Sequence, residues 1–309
     1  MDQLEIGDSP RQGWGPLSED APALACARAG GRIVPGEAAA AAPRDTVSLA
    51  SSPAANVAGD ALAASPRAWF DCNCGFGVPA KPFGSVFASP ADLLDELDFC
   101  GVGEALVFHL AQQHESPQTG NELLLAETAG QPRLHPTWAI LPPQTEWKAG
   151  EFLEQMKRRG VGALRAYPEE DRYRLDGVTF GSLLEELVGR RIPLLLGPQW
   201  QTVGEVLRDF PDLTLVVVNH SDWGDDRLFR PLIERYTRLY LDTSNYQLER
   251  GLADFVRRYG AERLLYGSGS PNLQMGAAML TLAHADIPDD GKAAIAGGNL
   301  RRLLSEVHL

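Results

Sequence analysis

The sequence predicts a (β/α)8 TIM barrel with extra C-terminal helices, preceded by a poorly ordered N-terminal tail. Between residues 68 and 309, eight short apolar runs alternate with helical patterns, and about 240 residues is a usual length for one such barrel. Residues 1–67 instead contain 17 alanines and a single aromatic residue, Trp14. So few of these side chains can bury apolar surface that the tail cannot offset the entropy cost of ordering. We therefore divide the chain into a tail over residues 1–67 and one barrel domain over residues 68–309.

The eight apolar runs are predicted to be the strands of the barrel. Each run is short and is followed by a stretch with helical periodicity, which is typical of parallel βα units. A doubly wound open sheet is the alternative, but the segment Gly75–Gly77 lacks the third glycine and the following helix of its first turn. The predicted strands are Trp69–Cys74, Ala105–His109, Leu134–Leu141, Ala163–Tyr167, Pro193–Leu196, Leu213–His220, Leu239–Asp242 and Arg263–Gly267.

The helices carry recognisable signals at their ends and along their faces. Ser89 is predicted to cap a helix that has Pro90 at its first position and Asp92 as the acid of a capping box. In Gly181–Arg190, apolar residues recur every three or four positions, as one buried face of a helix requires. The last segment, Asp289–Val307, predicts one or two additional helices after the eighth unit.

Composition and charge exclude several functional classes. The formal net charge is −13 and no cluster of Lys or Arg is present, which argues against binding to nucleic acid. The longest apolar runs, Leu194–Leu196 and Leu215–Val218, are far shorter than the ~20 residues that span a bilayer. The acidic start lacks the features of a signal peptide, and four cysteines do not make a disulfide framework. We expect a cytoplasmic protein that binds a small-molecule substrate; the sequence leaves open whether it forms a homo-oligomer.

Four regions of the C-terminal half are similar to a known family: Phe210–Leu213 with Val216–His220, Leu239–Ser244, Ala261–Ser268, and Ala294–Leu304. In this order they resemble strands six, seven and eight and the C-terminal helix of the amidohydrolase-related family. That family includes the aminocarboxymuconate-semialdehyde decarboxylase-like enzymes. The resemblance extends over roughly residues 68–304, and it implies a TIM barrel with hydrolase or decarboxylase chemistry.

The resemblance also implies where a divalent metal would bind, and this chain lacks most of those ligands. Members of the family hold the metal with His-x-His on strand one, a His after strand five, a His after strand six and an Asp after strand eight. Here the two positions on strand one hold Asn73 and Gly75, the position after strand five holds Gly197, and the position after strand eight holds Gly269. Only the histidine after strand six, His220, is retained. A glycine side chain offers no donor atom, so we expect a degenerate metal site and no metal cofactor. The alternative is a rebuilt site that draws on Asp71, Asn73, His109 or His220.

Polar residues at the carboxyl ends of the strands form the predicted site, because that is where function lies in a TIM barrel. His220 is predicted to be the general acid/base, and Asp71 is predicted to orient it or to act as the base. The alternatives are a hydrogen-bonded core histidine and a carboxylate that accepts backbone N–H groups. Arg165 is predicted to bind a substrate carboxylate, with an internal ion pair as the alternative. The other predicted substrate-binding residues are Asn73, His109, Tyr167, Gln199, Trp200, Ser244, Ser268 and Ser270.

Strand one is predicted to alternate between the two faces of the barrel wall. Asp71, Asn73 and Gly75 share one face, which the resemblance directs into the barrel. Cys72 and Cys74 would then pack outward against the helices as inert core thiols.

Three functions remain open from the sequence. The first, which we favour, is an enzyme that hydrolyses or decarboxylates a small organic acid, ester or lactone by acid/base chemistry, without the usual metal. The second is a non-catalytic pseudoenzyme that binds a small molecule. The third is a metal-dependent hydrolase with a rebuilt ligand set.

Overall fold

A computed structural model describes residues 68–79, 86–143, 149–248 and 250–309, so the predicted tail lies outside the described residues. Within these ranges, eight parallel strands pair with their neighbours in chain order, and each overlaps a predicted strand. The strands are β1 (Phe70–Phe76), β2 (Glu104–His109), β3 (Leu134–Ala139), β4 (Ala163–Ala166), β5 (Leu194–Leu196), β6 (Leu215–Val217), β7 (Leu239–Asp242) and β8 (Leu264–Leu265).

The sheet closes on itself between its first and last strands. The amide of Cys72 donates to the carbonyl oxygen of Tyr266 at 2.9 Å, and the amide of Gly75 donates to that of Ser270 at 2.9 Å. A parallel bridge also joins Cys74 to Ser270. These contacts complete the ring, so the predicted (β/α)8 barrel is confirmed.

Helices connect the strands, and their ends follow the sequence signals. Ser89 accepts a hydrogen bond from the amide of Asp92, whose carboxylate accepts from the amide of Ser89, so the capping box forms as predicted. No helix in the described ranges is both long enough and apolar enough to cross a membrane. The helices are α1 (Pro90–Cys100), α2 (Ala111–His114), α3 (Pro117–Thr128), α4 (Ala149–Arg159), α5 (Gly177–Arg190), α6 (Trp200–Asp209), α7 (Asp226–Arg235), α8 (Gly251–Tyr259), α9 (Met275–Ala283), α10 (Asp289–Ala293) and α11 (Asn299–Ser305).

The extra C-terminal helices cover the amino ends of the strands. A π-helical turn, Ala294–Gly298, joins α10 to α11. Leu300 and Leu303 of α11 pack into the interior cluster of the barrel, and Asn299 donates to the carbonyl oxygens of Ala261 and Leu264. One end of the barrel is therefore plugged, which leaves the carboxyl ends of the strands for a site.

A bulge in β1 breaks the predicted alternation. The register with β2 shifts between Asp71 and Cys74, so that β1 contains one extra residue there. Asp71 pairs with Ala105, which packs toward the helices, whereas Cys72 joins the barrel-interior cluster and Cys74 the outer one. The predicted faces of Asp71 and Cys72 are therefore wrong, because strict alternation holds only where no residue is inserted.

Candidate active site

A cavity of about 180 Å³ lies at the carboxyl ends of the strands, where the sequence predicts the site. Its wall includes four predicted residues, Asn73, Arg165, Tyr167 and Gln199. The cavity also has an apolar side formed by Phe108 and Val218, and Asn219, which was not predicted as a site residue, contributes an amide. We take this cavity as the candidate active site.

Arg165 is the central polar group of the cavity, and its side chain is almost completely buried, at 3% exposure. Its Nε donates to Thr137 Oγ1 at 2.9 Å, and its Nη1 donates to Asn73 Oδ1 at 3.0 Å. Its Nη2 donates to the carbonyl oxygen of Cys72 at 3.2 Å. The guanidinium lies over the ring of Phe108, 4.5 Å from the ring centre.

The acceptors around Arg165 are all electrically neutral. They are a hydroxyl, an amide and a carbonyl group, and Arg165 forms no ion pair within the described part of the chain. The internal ion pair that the sequence left open is therefore not formed among these residues. The buried carboxyl group of Asp71 is near enough for the charge of Arg165 to oppose the rise in its pKa, but the two side chains form no ion pair. A buried guanidinium whose direct partners are all neutral favours an anionic ligand.

Asp242, at the end of β7, holds Asn73 and its neighbours in place. Its Oδ2 accepts from Asn73 Nδ2 at 3.0 Å, and its Oδ1 accepts from the amide of Asn219 and from Ser244 Oγ, both at 3.0 Å. Burial raises the pKa of Asp242 to about 7, although the hydrogen bonds from Ser244 and Asn73 oppose this shift. From the sequence, Asp242 was predicted only as part of a strand, although a carboxylate at the carboxyl end of a barrel strand is itself a signal of a site residue.

Asn219 lines the cavity, whereas the next residue, His220, does not, and the backbone conformation of Asn219 explains the difference. Asn219 has a φ of 59°, a left-handed conformation that Asn tolerates better than most residues. Its Oδ1 accepts from Asn73 Nδ2 at 2.8 Å, so its side chain lies on the cavity side. Because this left-handed conformation changes the course of the backbone after Asn219, the side chain of His220 lies away from the cavity.

His220 is completely buried in a box of aromatic rings, and it is not among the residues that line the cavity. Its ring centre lies 5.2 Å from that of Tyr246, 5.5 Å from that of Phe229 and 6.0 Å from that of Trp200. Its Nε2 is 3.1 Å from the carbonyl oxygen of Asp242, and burial lowers its pKa to about 4. This geometry is that of a neutral core histidine, and an acid/base role for His220 stays a prediction.

Asp71 is also fully buried outside the cavity wall. Its Oδ1 accepts from the amide of Asn73 at 2.8 Å and from the amide of Ser268 at 2.9 Å. Burial raises the pKa of this carboxyl group. Asp71 thus ties the bulge of β1 to the end of β8, which matches the backbone-binding role that the sequence left open, while its role as a base stays a prediction.

The remaining predicted residues surround the cavity without lining it. His109 Nδ1 accepts from the amide of Ala111 at 3.1 Å, and burial lowers the pKa of this histidine. Trp200 packs on His220, and Ser244 donates to Asp242. Ser268 Oγ accepts from the amide of Ser270 at 3.1 Å, so both serines stabilise the turn after β8.

Two buried polar atoms of the cavity residues lack a partner within the described part of the chain. They are the hydroxyl oxygen of Tyr167 and Oε1 of Gln199. Burial raises the pKa of Tyr167 to about 12, and the charge of Arg165 opposes that shift, so the hydroxyl is neutral at ordinary pH. The cavity therefore offers a cation, a neutral hydroxyl and an amide to a polar ligand.

The residues present do not fit a divalent metal. The described residues contain no group of three or more His, Cys, Asp or Glu side chains that could hold one. The amide oxygens of Asn73 and Asn219 are already acceptors of hydrogen bonds, and the nearby guanidinium of Arg165 repels a second cation.

A larger groove, of about 580 Å³, lies near the amino end of β2 and is lined by Asp98, Glu104 and Arg133 among others. Arg133 donates to Asp98 at 2.6 Å and to the carbonyl oxygens of Gly103 and Val102, both at 2.8 Å. Since its guanidinium is already paired with a carboxylate, this groove offers no comparable binding group.

Comparison with known proteins assigns the chain to a family. A family model described as amidohydrolase matches residues 76–305, about three-quarters of the chain. This chain belongs to the amidohydrolase family. No curated protein matches this amidohydrolase-family chain at a significant level.

Solved structures similar to this amidohydrolase-family member share its fold at low sequence identity. 5-Carboxyvanillate decarboxylase from Sphingomonas paucimobilis is 17% identical with a TM-score of 0.59, covering 79% of this chain and 100% of that one. A candidate 2-pyrone-4,6-dicarboxylic acid hydrolase from Pseudomonas putida is 19% identical with a TM-score of 0.61, covering 77% and 97%. A dihydroxybenzoic acid decarboxylase from Polaromonas sp. JS666, with bound manganese and the inhibitor 2-nitroresorcinol, is 16% identical with a TM-score of 0.58, covering 77% and 97%.

Proposed function

We propose that this chain is an enzyme that hydrolyses or decarboxylates a small organic acid, without a metal, and that Arg165 binds the substrate carboxylate. One observation carries the proposal: Arg165 lies at a cavity with only 3% of its surface exposed, and its hydrogen-bond acceptors are all neutral. A carboxylate in the cavity would supply a directly paired negative charge.

Arg165 has the donors that such a substrate needs. A guanidinium carries five N–H groups, and three of them have acceptors among the described residues. The other two have no acceptor among these hydrogen bonds, and the Tyr167 hydroxyl also interacts with the guanidinium, so a carboxylate would share these donors with Tyr167. The cavity is small, at about 180 Å³, which limits the substrate to a small acid.

The names of the relatives support the same substrate class. One is a decarboxylase of 5-carboxyvanillate, and another is a candidate hydrolase of 2-pyrone-4,6-dicarboxylic acid. Both substrates are carboxylic acids with a second reactive group. For the present chain the likeness supports the class of substrate, and both hydrolysis and decarboxylation stay within the proposal.

The carboxylate on Arg165 is the one that the reaction leaves intact. An ion pair with a buried guanidinium stabilises the substrate carboxylate in the ground state. If that same carboxylate were lost as carbon dioxide, its negative charge would leave the ion pair in the transition state, so the pair would oppose the reaction. The reacting group is therefore at the other end of the substrate, near the unpartnered atoms of Tyr167 and Gln199. It is an ester or lactone carbonyl, or a second carboxylate.

The acid/base groups that touch the cavity are Tyr167 and Glu170. The Tyr167 hydroxyl is neutral and suited to donate a hydrogen bond to a carbonyl oxygen on which charge develops. Glu170 is exposed at the cavity and suited to take a proton from an attacking water. We assign the acid/base role to this pair in place of His220 and Asp71, which do not line the cavity.

Calorimetric titration of the full chain with a panel of small mono- and dicarboxylic acids tests this function. Arg165→Met is expected to weaken acid binding at least about tenfold, because each charge-assisted hydrogen bond contributes about 1.5–3 kcal/mol. Arg133→Met is the matched control, since Arg133 also donates to two carbonyl oxygens but lies in the distant groove. Equal affinities for Arg165→Met and wild type would refute the assignment.

The pseudoenzyme is the second candidate, and one observation favours it: neither His220 nor Asp71 lines the cavity. The two functions differ in turnover. Product formation from the acids, esters and lactones that bind, lost in both Tyr167→Phe and Glu170→Gln, supports the enzyme. Tight binding with no product from any compound supports the pseudoenzyme.

A further inference from the structure

The ring of Phe108 fills the space where a side chain at position 75 would lie. Gly75 and Phe108 are register partners on β1 and β2. A Cβ atom added to Gly75 would lie 2.6–2.9 Å from three carbons of the Phe108 ring, which real Cβ contacts do not tolerate. Position 75 is glycine because the ring occupies its place, which is one of the histidine positions implied by the family resemblance.

The face of the same ring carries the guanidinium of Arg165, 4.5 Å from the ring centre. A cation over an aromatic face is attracted by the ring quadrupole, and more strongly where both groups are shielded from water. Phe108 and Arg165 are both buried, so the ring fixes the position of the cation within the cavity.

The other positions of the implied metal site surround this cation. Asn73, which stands at the first histidine position, accepts a hydrogen bond from Arg165 Nη1 at 3.0 Å. Gly197 and Gly269, at two further ligand positions, line the same cavity as Arg165. One oxygen donor at these positions is thus bound to a guanidinium, the three glycines have no side-chain donor, and the retained His220 does not line the cavity.

We propose that the guanidinium of Arg165, stacked on Phe108 in the space that Gly75 leaves free, is the fixed cation of this cavity and takes the place of a divalent metal in binding a small carboxylate. Phe108 acts through Arg165 and is a positioning residue. This inference rests on the proposed function for the identity of the ligand. Beyond that function, the Phe108 ring and the Arg165 guanidinium form one anion-binding unit, and this unit binds its ligand without a metal.

Two matched Phe→Leu changes separate this role from ordinary packing, because both remove a ring of the same size. Phe108→Leu removes the aromatic face beneath Arg165. Phe70→Leu is the matched control, because the Phe70 ring lies beneath Arg301 at 5.2 Å, among the buried residues of the barrel interior and outside the cavity wall. Thermal melting shows that each variant is folded, and Phe108→Met provides a second variant with a flexible side chain in case the leucine variant is unstable.

The probes are formate and benzoate, titrated calorimetrically into the full chain with excess EDTA and, separately, with excess manganese chloride. Phe108→Leu is expected to bind both probes about thirtyfold more weakly than wild type, because a desolvated cation–π contact contributes about 2 kcal/mol. Phe70→Leu is expected to stay within about twofold of wild type. The affinity of wild type is expected to be the same in EDTA and in manganese.

Each outcome decides one of the claims. Equal affinities of Phe108→Leu and Phe70→Leu, or binding that requires manganese, overturn the guanidinium unit but leave a carboxylate substrate intact. Formate binding that depends on Phe108, with no larger acid bound or converted, supports the unit and overturns the proposed function. Absence of binding by wild type to either probe overturns both.

Discussion

The stability of this protein should fall steeply with acid, because His220 must remain neutral in its aromatic box. Burial lowers its pKa from 6.5 to about 4. Between these values the unfolded chain binds a proton that the folded chain does not, so this contribution to stability is present above pH 6.5 and is lost as the pH falls toward 4. The shift corresponds to about 2 kcal/mol lost at about pH 5 and about 3 kcal/mol at about pH 4.

The His220→Leu variant isolates this contribution. Leucine has a similar volume and does not titrate, but it leaves the carbonyl oxygen of Asp242 without the histidine contact. We expect the variant to be about 1–3 kcal/mol less stable than wild type at neutral pH, where that lost contact dominates.

Urea unfolding of both proteins at several pH values between about 4 and 8 measures the difference between their free energies of unfolding, in which the other titrating groups cancel. The expected difference shrinks by about 2 kcal/mol on going from about pH 7.5 to about pH 5. A difference that stays constant over this range would refute the burial of a neutral His220. Such a result would instead indicate that His220 is exposed and titrates in the folded protein, as its predicted acid/base role requires.

Two further changes test the buried polar and glycine positions. The pKa of Asp242 is raised to about 7, so its contribution to stability is present below about pH 4 and is lost as the pH rises through 7. Relative to Asp242→Asn, the free energy of unfolding of wild type should fall by about 4 kcal/mol between about pH 4 and 8. A difference between the two proteins that does not change with pH in urea unfolding would contradict this. A Cβ on Gly120 would overlap the backbone nitrogen of Gln112, whereas one on Gly181 has open space. Gly120→Ala should therefore lower the melting temperature and Gly181→Ala should raise it slightly, and equal melting temperatures would contradict the packing.

The sequence was sufficient for the fold because each strand and helix is encoded locally. The capping box at Ser89 and the apolar periodicity of α5 are properties of short segments. In the structure the capping box is formed, and the apolar residues of α5 are buried on one face. The number and order of the βα units then leave few architectures available.

The site was less predictable because its residues are directed by backbone conformations that no pattern of side chains reveals. The left-handed Asn219 directs its own amide to the cavity and leaves His220 in the aromatic box. The bulge in β1 likewise reverses the faces of Asp71 and Cys72. The sequence did place Arg165 at the carboxyl end of a strand, but it could not distinguish a substrate-binding arginine from one in an internal ion pair.

Phe108 was missed for a different reason. An aromatic residue in a strand is usually core packing, and the sequence does not show that its ring lies against Gly75 on one side and Arg165 on another. Only the register of β1 with β2 brings these residues together.

A crystal structure of the full chain with benzoate, prepared with EDTA, is the most direct test of the claim that Arg165 binds the substrate carboxylate. We expect both carboxylate oxygens to lie within hydrogen-bond distance of Arg165 Nη1 and Nη2 in the cavity at the carboxyl ends of the strands. We also expect the guanidinium to remain stacked on Phe108. Benzoate bound elsewhere, or bound only after manganese is added and in contact with that metal, would show that Arg165 does not bind the substrate carboxylate.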